Sequence, residues 1–290
     1  MFTGAMVALI TPFQDGEIDF QTLEELIEFQ LNSGIDAIVP VGTTGESPTL
    51  SHDEHKQLMA RIVEIVDEQV PVIAGAGSNS TAEAIELTAF AKKVGADATL
   101  QVTPYYNKPT QEGFYQHFKA IAEEVDLPIV LYNIPGRCGA GMTPDTIARL
   151  AQVENIVAIK EATGSLDQAS EIAIQCDITI ISGDDSLTLP LASVGGKGVI
   201  SVAANIVPAD VKAMTDLILE GDFASARQWH NKLFTLCKNM LTLATNPIPI
   251  KAAMAMLNMA PEELRLPMTP LEDSKKAVLK QTLRDYGLLD

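Results

Sequence analysis

Eight short runs rich in valine and isoleucine recur along this chain at intervals of about 20 to 34 residues, and no other feature restricts its fold so tightly. They are AMVALI from Ala5, AIVPV from Ala37, PVIAG from Pro71, ATLQV from Ala98, PIVLY from Pro128, IVAIK from Ile156, ITIIS from Ile178 and GVISV from Gly198. Near-continuous apolar runs, without strict alternation, suit parallel strands covered on both faces. Between them lie amphipathic stretches: Phe20, Leu23, Leu26, Ile27 and Leu31 keep helical spacing, as do Leu58, Ile62, Ile65 and Val66. Ser51 with Glu54, and Ser80 with Glu83, have capping-box spacing, and Thr143 before Pro144 reads as a cap followed by a first-turn proline. Eight strands alternating with helices specify a (β/α)8 TIM barrel, with a doubly wound sheet as the structural alternative. From Asp222 onward no run reads as a strand. The expected organisation is a barrel over residues 1–221 and a C-terminal helical extension over 222–290.

Composition narrows the function classes. Twenty lysines and arginines against 38 acids give a net charge of -18, which excludes the basic surface that nucleic acid or an anionic membrane face requires. No basic residue precedes Lys56, so the apolar stretch near the N-terminus lacks the flank of a signal peptide, and a cytoplasmic protein is expected. Cys138, Cys176 and Cys237 are widely spaced and read as packed, reduced thiols.

In a TIM barrel the chemistry lies at the C-terminal ends of the strands. Those positions offer Thr11, the turns GTTGES (Gly42 to Ser47) and GAGSNS (Gly75 to Ser80), TPYYN (Thr103 to Asn107), YNIPGR (Tyr132 to Arg137), KEATG (Lys160 to Gly164), SGDD (Ser182 to Asp185) and Ser201. One lysine, three of the five tyrosines, one arginine and two glycine-rich turns converge there, which suits a small anionic substrate. The letters V-A-I-K before Glu161 mimic a kinase motif, but no glycine-rich loop, HRD or DFG accompanies them. GAGSNS has Ser80 where a dinucleotide fingerprint needs glycine or alanine, and GTTGES is not a P-loop. His52 and His55 lie three apart without an evident third ligand, so no metal is expected.

Lys160 is suited to form an imine with a ketone. A free lysine is almost entirely protonated at neutral pH, and only its neutral form attacks. Lowering its pKa by ~3 units takes about 4 kcal/mol, which burial can supply. Glu161 could oppose this, but strand alternation aims it at the other face. Tyr132 and Tyr106 are candidate proton carriers, with Thr43 as a linking hydroxyl.

Taken together, MFTGAMVALITPF, VGTTGES, VTPYYNKPTQEG, LYNIPGR, IKEATG, ISGDD, NPIPIK and RLPMTP resemble the pyruvate-dependent class I aldolase and lyase family of barrels, essentially end to end. The resemblance implies that Lys160 forms a Schiff base with pyruvate, with no separate cofactor. It implies that Tyr132 is the acid and base, linked through Thr43 to a Tyr106 supplied by a neighbouring subunit. Thr44, Ile200, Gly183 and Asp184 become substrate contacts, and Arg137 receives the carboxylate of aspartate-4-semialdehyde. Condensation of these two substrates on the diaminopimelate route to lysine is the expected activity; the alternative is an aldolase of the same family acting on a sugar-acid aldehyde. A homotetramer built as a dimer of dimers is implied. So is an inhibitory L-lysine site at Ser47, Pro48, His52, His55, Asn79, Glu83 and Tyr105. Pro48 departs from a common small residue there, and Cys138 stands where threonine is often found.

Overall fold

All eight runs form parallel strands: β1 (Gly4–Ala8), β2 (Ala37–Val39), β3 (Ile73–Gly75), β4 (Ala98–Val102), β5 (Ile129–Asn133), β6 (Ile156–Glu161), β7 (Thr179–Ser182) and β8 (Gly198–Ser201). The structure, a computed structural model, describes residues 2–290; Met1, the first residue of the expected barrel segment, lies outside them. The strand order is β2-β1-β8-β7-β6-β5-β4-β3. A parallel bridge between Ile38 and Val72 joins the two ends, so the sheet closes and the doubly wound alternative falls.

Alternation along each strand sorts side chains into two layers. Met6, Ala8, Val130, Tyr132, Ala158, Ile181 and Ile200 pack inside the barrel. Ala5, Val7 and Ile38 pack outward under the helices, and so do Leu131 and Ile159. Lys160, two residues after the inward Ala158, is thereby aimed inside, and Glu161 follows Ile159 outward. Glu161 is buried there, accepting from Asn133 and Gln168 side chains and from Thr163 N at 2.8 Å.

The outer ring comprises α1 (Phe20–Asn32), α2 (His52–Val66), α3 (Thr81–Val94), α4 (Gln111–Glu124), α5 (Pro144–Leu150), α6 (Leu166–Gln175), α7 (Thr188–Ala192) and α8 (Pro208–Glu220). Ser51 and Glu54 form the reciprocal capping box expected of them, and Thr143 caps α5 ahead of Pro144. Ser80 does not. It precedes α3 without a side-chain cap: Glu83 accepts the Ser78 hydroxyl and Ser80 N donates to Ser78 Oγ at 3.0 Å, so neither half of the box forms.

A two-stranded hairpin, Phe13–Gln14 with Glu17–Ile18, follows β1 and has no counterpart in the sequence reading. Its tight turn places Asp15 and Gly16 both at positive φ, the conformation that an Asp-Gly pair favours. After Gly221 come three helices: α9 (Phe223–Thr242), α10 (Ile248–Met256) and α11 (Asp273–Tyr286). α10 begins inside the proline-punctuated NPIPI stretch, where Pro249 falls in its first turn and needs no helical donor. Among the described residues no helix is long and apolar enough to cross a membrane.

Candidate active site

β5 and β6 run side by side with Tyr132 directly opposite Lys160. The lysine ammonium lies 4.3 Å from the centre of the Tyr132 ring. Both side chains are buried. Gly183, just after β7, makes this possible: a Cβ there would come within 3.1 Å of Lys160 Cε and 2.6 Å of Ala162 Cβ.

Burial brings the Lys160 pKa down to about 8; the Asp185 carboxylate pulls the other way, and the Arg137 guanidinium adds to the lowering. At pH 7 about one molecule in ten then holds a neutral amine, against a few in ten thousand for an ordinary lysine. Burial pushes Tyr132 up to about 12, with Arg137 and the nearby Thr43 hydroxyl holding it down. The phenol therefore stays protonated and can act as a donor at neutral pH.

Of the two aspartates in SGDD, the resemblance implies a substrate contact only for Asp184. Asp184 caps a short turn, accepting from Ser186 N at 3.1 Å and Ser186 Oγ at 2.9 Å. Asp185 is the acid beneath the site. Its buried carboxylate accepts the Ser201 hydroxyl, Val202 N at 2.9 Å and Ala203 N at 3.4 Å, fixing the chain just beyond Ile200. The second of two adjacent aspartates carries no distinguishing local signal, so only its surroundings identify it.

Thr43 and Thr44 sit in the turn after β2. Thr44 Oγ1 accepts from Asn246 Nδ2 at 3.0 Å, and the carbonyl of Asn246 accepts from Arg137 at 2.8 Å. Asn246, which precedes α10 and was not among the candidate residues, thus ties Thr44 to Arg137. Tyr106 is 90 % exposed, with φ at 70°, and does not reach Thr43 within one chain.

A cavity of about 430 Å³ runs outward from this wall. Its lining includes Thr43, Tyr132, Arg137 and Cys138 together with Ser47, Pro48, His52, Glu83 and Tyr105. His52 Nε2 lies 2.9 Å from Glu83 Oε1, whereas His55 Nε2 lies 2.7 Å from the carbonyl oxygen of Gly75. The two imidazoles therefore address separate partners. Burial holds His55 below the usual histidine pKa. Asn79 does not line the cavity but donates to the Tyr105 carbonyl at 3.1 Å.

Fold and site together define a (β/α)8-barrel enzyme whose polar groups gather around one buried lysine. The chain belongs to the Dihydrodipicolinate synthetase family, whose profile matches residues 1–286. It is 53 % identical to a 4-hydroxy-tetrahydrodipicolinate synthase of Geotalea uraniireducens over the full length of both chains. The crystal structure of dihydrodipicolinate synthase from Aquifex aeolicus matches with a TM-score of 0.97 and 50 % identity, covering 99 % of each chain. A lysine-bound structure of the enzyme from Cyanidioschyzon merolae matches with a TM-score of 0.95 and 43 % identity, again over 99 % of each chain.

Proposed function

We propose that this protein is a cytoplasmic lyase that condenses pyruvate with L-aspartate-4-semialdehyde to 4-hydroxy-tetrahydrodipicolinate, the committed step toward diaminopimelate and lysine. Full-length identity to synthases of that name supports the reading over a sugar-acid aldolase. The observation that carries the chemistry is Lys160, an inward-facing amine with its pKa drawn down to about 8.

In this reading the neutral amine attacks the ketone carbon of pyruvate and loses water to give an imine. Loss of a methyl proton yields an enamine, whose carbon attacks the aldehyde of the second substrate. The semialdehyde's own amine then displaces Lys160 and closes the ring. Each step moves a proton, and Tyr132 stands over the lysine to carry it, with Thr43 beside its hydroxyl. Thr44, Gly183, Asp184 and the backbone at Ile200 border the pyruvate end, and Arg137 meets the carboxylate of the semialdehyde. The exposure of Tyr106 supports its supply to a neighbouring subunit, hence an assembly of dimers, with a homotetramer as the proposed form. Glu83, His52, Ser47 and Tyr105 offer carboxylate, imidazole and hydroxyl groups to a cationic amino acid, with Pro48 and His55 completing the wall and Asn79 holding the Tyr105 backbone. L-lysine is the proposed inhibitor there.

The test is trapping. Incubation with pyruvate and borohydride should add one reduced pyruvate to Lys160, located by mass spectrometry. An unlabelled Lys160 would sink the imine mechanism.

A further inference from the structure

The GTTGES turn is held from outside the barrel. Glu46, its only acid, is buried and adopts a left-handed backbone at φ 55°, and Val41 at the other end of the loop has φ 49°. Neither residue adopts that region without local strain. The Glu46 carboxylate is gripped by the C-terminal extension. One oxygen takes Lys251 Nζ, on α10, and the other takes the backbone N–H of Arg265 at 3.1 Å. Lys251 is fully buried, also donates to the Glu263 carbonyl at 2.9 Å, and lies 4.3 Å from the Phe13 ring. The Arg265 guanidinium covers the same ring at 4.4 Å and spans Glu54, Thr49 O and Gly16 O. Asn246, five residues before Lys251, holds the Thr44 hydroxyl.

We infer that Lys251 and Glu46 are positioning residues for the condensation, the ion pair setting the Thr43–Thr44 turn in the conformation that serves the proton relay and the pyruvate end. This rests on the imine mechanism proposed above. A buried ion pair is a poor source of net stability compared with apolar groups of similar size, so its presence beneath a strained functional turn points to geometry. A displacement of Thr43 by about 1 Å suffices to reduce turnover by up to about a hundredfold.

The experiment uses the full-length double variant Glu46→Gln/Lys251→Met, which removes both charges together and leaves neither stranded, with Glu46→Gln alone as a second variant of nearly unchanged shape. Circular dichroism and thermal melting establish that each is folded at the assay temperature. At saturating pyruvate the folded variants should still trap it at Lys160 to the parental extent, while kcat falls about 10- to 100-fold and KM for pyruvate rises. Parental kcat and KM in either folded variant overturn the inference. Failure of the unaltered protein to trap pyruvate strikes the imine mechanism instead, so the two failures are distinguishable.

Discussion

The barrel's Lys160 and the extension's Lys251 are both buried lysines whose pKa values burial lowers, yet their contact partners differ. Lys251 meets a carboxylate directly, together with a backbone carbonyl and an aromatic face. Lys160 faces the Tyr132 ring and feels Asp185 only through space, while Asp185 spends its oxygens on Ser201, Val202 and Ala203. Burial penalises an ammonium in both places. Burial lowers the pKa of both amines, but at Lys251 the Glu46 carboxylate in direct contact opposes it, so that amine is tied into an ion pair while Lys160 is left available as a nucleophile.

Removing each lysine should break the comparison most sharply. Lys160→Ala should lower turnover on the order of ten-thousand-fold and abolish pyruvate trapping, with the fold retained by circular dichroism. Lys251→Met alone strands the Glu46 charge and should destabilise the protein by about 3–5 kcal/mol in denaturant melts at fixed protein concentration. Removing Glu46 as well should recover most of that loss.

Stability against pH tests the burial of Lys160. The folded pKa of Lys160, about 8, lies below its unfolded value of 10.5. Between those values the unfolded chain binds more protons, so this group's contribution to stability rises with pH across the window. Below pH 8 it is a full penalty of about 3 kcal/mol. Lys160→Met should therefore be more stable than the parent at pH 7, and the gap should narrow toward pH 10.5; a less stable variant at pH 7 would contradict an unfavourably buried ammonium. The smallest effect concerns Asp185, whose charge supports the protonated amine. In Asp185→Asn the midpoint for pyruvate trapping against pH should move below that of the parent, and an upward shift would remove Asp185 from the electrostatics of the site.

Arg137→Ala tests the proposed second-substrate contact. Arg137→Ala should impair use of the semialdehyde more than pyruvate trapping, measured as kcat/KM against adduct yield; equal loss of both would undercut its assigned role.

Much of this molecule was legible along the chain. Eight apolar runs became eight strands, and simple alternation after Ala158 turned Lys160 inward and Glu161 outward. Local chemistry also fixed the caps at Ser51 and Thr143, because donor and acceptor lie within four residues. The same logic failed at Ser80, where a competing hydroxyl two residues upstream captured Glu83.

Periodicity and capping are short-range properties, and they determined the strands, the helix starts at Ser51 and Thr143 and the inward aim of Lys160. The pKa of that lysine, the choice of Asp185 over Asp184, the bridge from Thr44 through Asn246 to Arg137 and the pairing of Glu46 with Lys251 were decided only by tertiary structure. Glu46 and Lys251 are 205 positions apart in the chain. No local pattern encodes such a contact: it exists because the barrel closes and the extension docks against the turn after β2, excluding water from both charges.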